Sequence, residues 1–205
     1  MKKVTLVFGF ALCLVLSVSA GLDAGWWFYT VTEPASSSCS GTPLESCTST
    51  NGAYGYQWAH SSSYKYIGFL FTTNNDSSVR CQSGIFLYKV GNPNIDIDIR
   101  YYTDNAGMPG TALGTSWSSV VNTTSISTSS TEIIFLSTDV AGGSTLSPNT
   151  SYWTILRAST IGDSSNYILL DASLDCTDTK IVYSANGIDW ALYTTTRGGR
   201  FVNYK

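Results

Sequence analysis

The sequence predicts an all-β protein, a jelly-roll-like antiparallel β-sandwich preceded by a cleaved signal peptide. Three observations predict this fold: a segment of alternating residues, the turn residues that flank it, and many short strands without a long helical period. In the alternating segment, Ile95, Ile97, Ile99 and Tyr101 are interleaved with Asp96, Asp98 and Arg100. A period of two residues indicates a strand with one buried face and one solvated face.

Turn residues bound this strand on both sides. Residues 91–94 (GNPN) precede it and residues 104–107 (DNAG) follow it. Such residues supply positive φ angles, Asx hydrogen bonds and a fixed proline φ. Asn186-Gly187 predicts a further hairpin with a type I′ turn, because both central residues of that turn need a positive φ.

Short strands are expected along the rest of the chain. The predicted ranges are 54–59, 64–72, 84–90, 95–103, 114–121, 132–137, 151–157, 166–171, 180–184, 188–193 and 200–204. Many short strands at regular spacing favour a sandwich or a barrel. We therefore expect residues 54–205 to form one β-sandwich domain, with residues 21–53 as an N-terminal extension that contains a disulfide loop.

Residues 1–20 have the three parts of a secretory signal peptide. Lys2 and Lys3 form a basic start, residues 4–16 are largely apolar, and Val18-Ser19-Ala20 is a small-residue cleavage site. Cleavage there predicts a secreted or cell-surface protein with no membrane span in the mature chain. The chain has 11 Lys and Arg against 14 Asp and Glu, scattered along its length. This balance argues against a nucleic-acid partner, which requires a concentrated positive surface.

Four cysteines remain after cleavage: Cys39, Cys47, Cys81 and Cys176. An even number in an exported chain predicts two disulfides, for which three pairings are possible. The short loop between Cys39 and Cys47 favours their union, which would leave Cys81 to pair with Cys176. A metal site is the alternative, but there is no C-x-x-C pair and the chain has one histidine.

A resemblance emerges from several of these segments together. They are IFLYKVGNPNIDIDIRYYTDNAGMPGTAL, TEIIFLS, LSPNTSYWTILRAS, YSANGIDW and RFVNY. Over roughly residues 55–204 the chain resembles the choice-of-anchor family of bacterial and archaeal surface β-sandwich domains, which are themselves similar to jelly-roll carbohydrate-binding modules. The resemblance implies a fold and an extracellular setting, and it implies no specific ligand. The chain departs from the family by ending at the sandwich and by adding the cysteine loop.

Candidate catalytic residues are few, and none is assigned. A serine triad would have to use His60, and no G-x-S-x-G nucleophile elbow is present. A glycosidase needs two carboxylates facing each other. Asp96 and Asp98 share a strand face, where solvated charges paired with Arg100 are the simpler interpretation.

Asp171, Asp175 and Asp178 are the candidate metal ligands. Their oxygens suit calcium, but their spacing lacks the glycine of an EF-hand loop, and a solvated acidic loop is the competing interpretation. We expect no cofactor, with structural calcium as the one exception.

Aromatic residues provide the main functional hypothesis, since Trp and Tyr offer flat apolar faces to sugars or proteins. The candidate ligand-binding residues are Tyr54, Tyr56 and Trp58, which share a strand face, and Trp117 and Trp190, which lie near turns. The leading hypothesis is a secreted noncatalytic module that binds polysaccharide or a surface glycan. The alternative is a structural subunit of an extracellular filament or coat that self-associates through edge strands, and the third is a glycan-degrading enzyme.

Overall fold

The computed structural model describes residues 41–76, 80–114, 118–136, 146–176 and 178–205. The predicted signal peptide, the extension up to residue 40, Cys39 and Trp117 lie outside the described residues. Among the residues that are described, no helix has the length and hydropathy needed to cross a membrane.

The described part of the chain is built almost entirely from strands. They are β1 (Pro43–Cys47), β2 (Tyr54–Trp58), β3 (Tyr66–Thr72), β4 (Gln82–Val90), β5 (Asp96–Asn105), β6 (Met108–Ala112), β7 (Val121–Asn122), β8 (Thr131–Leu136), β9 (Ser151–Ala158), β10 (Tyr167–Ser173), β11 (Ile181–Ser184), β12 (Ala191–Thr194), β13 (Gly198–Gly199) and β14 (Phe201–Tyr204). Two single-turn 3-10 helices occupy Ser62–Tyr64 and Thr123–Ser125.

The strands form two antiparallel sheets. Sheet 1 has the order β1-β14-β4-β10-β13, with β2 added to β10 and β8 added to β4. Sheet 2 has the order β12-β11-β3-β9-β5-β6, with β7 added to β5. The predicted fold class, an all-β antiparallel sandwich, is confirmed.

The core lies between the two sheets and follows the predicted alternation. Ile97, Ile99 and Tyr101 of β5 are buried in it, whereas Asp96 and Arg100 face outward. Trp58, Phe69 and other large side chains fill the same layer. Burial of each such side chain stabilises the fold by about 1.5–3 kcal/mol, so the period of two in the sequence is enforced by the core.

Four strands of sheet 1 meet at a fork. β4 pairs with β14 along its first half and with β10 along its second half, while β13 pairs with the end of β10. Arg200 lies between β13 and β14: its carbonyl accepts from the N–H of Phe86 (3.1 Å), and its own N–H donates to the carbonyl of Asp171 (2.9 Å). The fork therefore brings the side chains of Arg200 and Asp171 together.

The turn predicted at residues 104–107 and the hairpin predicted at Asn186-Gly187 have different outcomes. Ala106 (φ 52°) and Gly107 (φ 83°) both have positive φ and join β5 to β6, so a tight turn forms at the predicted place. At Asn186-Gly187 only Gly187 has a positive φ (75°), and the predicted type I′ turn is wrong. The Asn186 side chain instead accepts hydrogen bonds from the N–H groups of Ile188 and Asp189 (2.9 Å each), which builds a longer loop.

The predicted disulfide pairing is also wrong. Cys47 is bonded to Cys176, 129 residues away in sequence, and not to Cys39. Cys81 is disulfide-bonded as well, so its predicted pairing with Cys176 is excluded. The physical reason is sheet adjacency: β1 pairs with β14, and β10 pairs with β13, which brings the ends of β1 and β10 to neighbouring positions. That proximity outweighs the short loop that favoured Cys39–Cys47.

Most strand predictions agree with the structure within a few residues. The predicted strand 114–121 overlaps β7 only at Val121, and β1, β6 and β13 were not predicted. The expected pairing of Asp98 with Arg100 is wrong. Asp98 accepts from Arg157 on the neighbouring strand β9 (3.0 and 2.5 Å), and Arg100 donates to the carbonyls of Leu113 (3.1 Å) and Gly114.

Candidate functional site

The outer face of sheet 1 presents side chains from three adjacent strands. In the paired register, Gln57 of β2, Leu169 of β10 and Tyr88 of β4 form one row across the sheet. Gly55 lies opposite Asp171 in the next outward-facing row. Because paired residues in antiparallel strands point to the same face, these five residues share one surface.

Tyr88 lies along this surface instead of standing away from it. A Cβ atom added to Gly55 would come within 1.9 Å of Tyr88 Oη and 2.7 Å of Leu169 Cδ2. Adjacent strands are about 4.8 Å apart, so the side chain reaches from β4 across β10 to β2. It can cover that span only by lying roughly parallel to the sheet, with its ring over Leu169. The missing side chain of Gly55 provides the space for the Tyr88 hydroxyl.

An open groove of about 540 Å³ surrounds this tyrosine. Aromatic, amide and hydroxyl side chains dominate its wall. The lining residues are Ala53, Tyr54, Gly55, Gln57, Tyr88, Thr128, Ser129, Ser130, Leu169 and Asp171. Its volume falls within the range of small-molecule sites, about 300–1,000 Å³, and its composition combines flat apolar surface with short polar groups.

Asp171 is held in the groove wall by the strand fork. Its Oδ2 accepts hydrogen bonds from Ser130 Oγ (2.5 Å) and Arg200 Nη1 (2.5 Å). Arg200 also donates to the carbonyl of Thr48 (2.9 Å), and its guanidinium lies 4.3 Å from the centre of the Phe86 ring. Asp171 and Arg200 are only 4% and 7% exposed, so the position of this carboxylate is fixed by buried contacts.

Tyr54 forms one end of the groove and is more than half exposed, at 56%. Its ring packs edge-on against Tyr56 (5.1 Å between centroids), and Arg197 lies 5.5 Å from its centre. The pKa of Tyr88 is raised, first by burial and then by the negative charge of Asp171 and the neighbouring tyrosines Tyr167 and Tyr54. Tyr88 is therefore a neutral hydroxyl at ordinary pH.

The outer face of sheet 2 is covered by the loop that joins β11 to β12. Trp190 packs edge-on against Tyr66 (6.4 Å) and Tyr102 (6.2 Å). Beneath it, the side chains of Trp153, Ile155 and other residues form a second hydrophobic cluster. This face is thus closed by its own aromatic side chains.

The predicted ligand-binding residues do not form one surface. Tyr56 (6% exposed) and Trp58 (0%) belong to the core, which corrects the prediction that they line a binding face. They point inward because β2 alternates, and its outward residues are Gly55 and Gln57. Tyr54 lies at the groove, Trp190 is on the opposite sheet, and Trp117 falls outside the described residues.

The three candidate calcium ligands are engaged separately. Asp171 binds Arg200, Asp178 accepts from Thr72 (3.1 Å), and Asp175 accepts from Ser49 and Asn51 (2.7 Å each). The last two hydrogen bonds lower the pKa of Asp175, that from Ser49 most. Within the described ranges no group of three or more His, Cys, Asp or Glu residues could hold a metal ion.

His60 is part of an aromatic cluster. Its ring stacks on Tyr64 at 4.5 Å, its Nδ1 has no hydrogen-bond partner among the described residues, and burial lowers its pKa. This arrangement gives no serine or aspartate relay at His60. Glycan hydrolysis stays a prediction, to be tested by product release and its loss in Asp-to-Asn variants.

Sequence reasoning missed Gln57, Tyr88 and the Ser129–Ser130 wall of the groove. The alternation within β2 and β4 indicated that Gln57 and Tyr88 lie on the strand faces opposite to the core residues. It did not indicate that the two strands flank β10. Comparison with known families, curated proteins and solved structures found no match for this chain.

Proposed function

We propose that this protein is a secreted noncatalytic binding module that recognises a polysaccharide or another surface glycan in the groove of sheet 1. The observation that carries the proposal is the Tyr88 ring lying along the groove floor, with hydroxyl and amide side chains around it. The predicted signal peptide and the resemblance to surface β-sandwich domains also support it.

The physical basis is the amphipathic character of a sugar ring. Its C–H face is apolar and packs on an aromatic ring, while its hydroxyl groups at the rim need hydrogen-bond partners. In the groove, Tyr88 and Tyr54 supply aromatic surface, and Gln57, Ser129 and Ser130 supply short polar groups. Because the groove is open, it suits a segment of a longer chain.

The test is a glycan and polysaccharide array probed with residues 21–205, followed by calorimetric titration of each hit. Replacing Tyr88 by Ala should weaken binding by about 10- to 100-fold, because burial of the ring against a sugar supplies roughly 1.5–3 kcal/mol. Trp190→Ala is the matched control on the opposite face and should leave affinity unchanged. Absence of any glycan hit, or equal loss in both variants, would contradict the proposal.

A structural subunit is the second candidate, and the edge strand β8 is the observation that favours it. Ile134 and Leu136 project from β8 and are 41% and 47% exposed, while β8 pairs with β4 alone among the described strands. Such an edge can accept a strand from another copy. Ordered assembly at micromolar concentration, abolished by Ile134→Lys and unaffected by Ile188→Lys on the exposed loop, would favour this function.

A further inference from the structure

The groove wall carries very little charge. Among the described residues that line it, Asp171 is the one formally charged side chain, and the others are aromatic, aliphatic, amide or hydroxyl. Two cations lie nearby without being part of the wall. Arg200 is buried beneath it, and Arg197 donates to the carbonyl of Gly52 (3.0 Å) at the Tyr54 end. A ligand in the groove thus meets one carboxylate and no cation among these lining residues.

The Asp171 carboxylate presents one oxygen that is not used within the described structure. Both of its hydrogen bonds, from Ser130 and Arg200, end on Oδ2, and no partner is described for Oδ1. The side chain is 5% exposed. Because Oδ2 is bound twice, the orientation of Oδ1 is fixed, and a fixed carboxylate oxygen is a strong acceptor for a hydroxyl hydrogen.

Arg200 is the cation that pairs with this carboxylate, through the salt bridge from its Nη1 to Asp171 Oδ2. Its Nη1 and Nη2 groups bind Ser130, Asp171 and Thr48, and its Nε is buried, so the guanidinium does not face a ligand in the groove. An anionic sugar placed in the groove would therefore approach the Asp171 carboxylate without a cation among the described lining residues to bind it.

We infer that the groove selects neutral glycans and rejects glycans that carry carboxylate or sulfate groups, with Asp171 as the residue that sets this preference. A hydroxyl of the neutral sugar donates to Asp171 Oδ1. The carboxylate of an acidic sugar is repelled there, and repulsion of the wrong ligand is as effective a source of specificity as attraction of the right one. This inference rests on the proposed function and adds the ligand class.

The test compares neutral oligosaccharides with acidic derivatives of the same sugar chain. Neutral β-glucan, mannan and galactan oligosaccharides are each titrated beside the derivative of the same chain oxidised at C6 to the uronic acid. The expected result is at least about tenfold weaker binding of the oxidised form at low salt, with the difference shrinking as salt screens the repulsion. Asp171→Asn should reduce the discrimination, provided that its thermal unfolding shows a folded protein.

A second variant tests the preference through a gain of affinity. It leaves the buried Asp171–Arg200 pair intact, which Asp171→Asn does not. Gln57 is an exposed residue of the wall, and Gln57→Lys supplies the missing cation. We expect it to raise affinity for the oxidised ligands by about tenfold, whereas Gln57→Met, of similar length and uncharged, should give no such gain.

The outcomes separate the two proposals. Equal or tighter binding of the oxidised forms by the unmodified protein, or no effect of Gln57→Lys on them, would overturn the neutral preference and leave glycan binding in place. Binding to none of the neutral or oxidised ligands would overturn glycan binding in this groove, and the preference with it.

Discussion

The outer faces of the two sheets contain similar residues, but the face of sheet 1 is open and the face of sheet 2 is covered. Each has a strand glycine that leaves space beside a larger side chain, Gly55 on sheet 1 and Gly68 on sheet 2. On sheet 1 Tyr88 occupies part of that space and about 540 Å³ stays open. On sheet 2 the loop bearing Trp190 covers the surface, and Ile155 beside Gly68 is fully buried. An outward-facing aromatic residue is therefore accessible to a ligand only where no loop covers it.

The comparison also separates two roles for outward-facing residues. Sheet 2 uses its outer face for stability, because its aromatic and aliphatic side chains pack against one another as in a small core. Sheet 1 leaves Tyr54 exposed and places polar side chains along an open groove. Substitutions on the first should change the free energy of unfolding, and those on the second should change affinity.

Trp190→Ala should give the largest effect on stability. The ring packs against Tyr66 and Tyr102, and its removal opens the second hydrophobic cluster to water. Because Trp190 is only partly buried, we expect a loss of about 2–3 kcal/mol in the free energy of unfolding, below the range for a fully buried tryptophan. Urea denaturation measures it. A loss under about 0.5 kcal/mol, typical of a surface site, would contradict the closed state of this face.

Gly68→Ala should destabilise by about 1–2 kcal/mol. The new Cβ would lie 2.3 Å from Ile155 Cδ1 and 3.2 Å from the carbonyl oxygen of Thr154. Ile155 is fully buried, so it has no room to move away. Denaturant unfolding should reveal the loss, with glycan affinity unchanged. Wild-type stability in this variant would show that the cluster can relax.

Gly55→Ala is the matched substitution on the open face and should act on affinity. Its Cβ would meet the Tyr88 hydroxyl and Leu169 Cδ2, both ends of side chains. Tyr88 can swing toward solvent, so we expect little change in stability and about a tenfold loss of glycan affinity as the ring leaves the groove floor. A stability loss equal to that of Gly68→Ala would contradict the difference between the faces.

Tyr193 should affect stability at alkaline pH alone. Burial raises its pKa to about 12, with further contributions from Tyr64 and Tyr54, while the unfolded chain titrates near about 10. Its contribution to stability is therefore complete below about pH 10 and is lost as pH rises through about 12. Tyr193→Phe should flatten the fall in stability over this range. An unchanged alkaline profile would contradict the assigned shift.

The fold could be predicted where local pattern and burial agree. The β5 alternation was correct because one side of the strand faces the core along its whole length. The predicted strand 114–121 was wrong over described residues such as Ser118. Its hydroxyl accepts from Ile99 N–H (2.9 Å) and donates to the Ser119 carbonyl (2.9 Å). The Ser118 N–H still donates to the Ile99 carbonyl (2.9 Å), so the side chain replaces one bond of the pair. The pattern of apolar residues does not reveal such a replacement.

The groove could not be predicted because it depends on strand order. Gly55 and Tyr88 meet only because β2 and β4 both pair with β10, more than 75 residues later in the chain. Tyr56 and Trp58 were correctly placed on one strand face and assigned to the wrong environment, since the alternation of a strand does not say which face is buried. The same limit explains the disulfide, which follows the long-range pairing of β1 and β10 with the C-terminal strands.

The most direct test of the central claim is to map a bound neutral oligosaccharide on the two faces by NMR. The amides of residues 21–205 are followed during titration with the tightest neutral ligand from the array. We expect the shifts to concentrate at Gly55, Gln57, Tyr88 and Asp171, with none at Gly68, Tyr102 or Trp190. Saturable shifts centred on Trp190 and Tyr102 would place binding on the face that this structure shows closed, and would contradict the account.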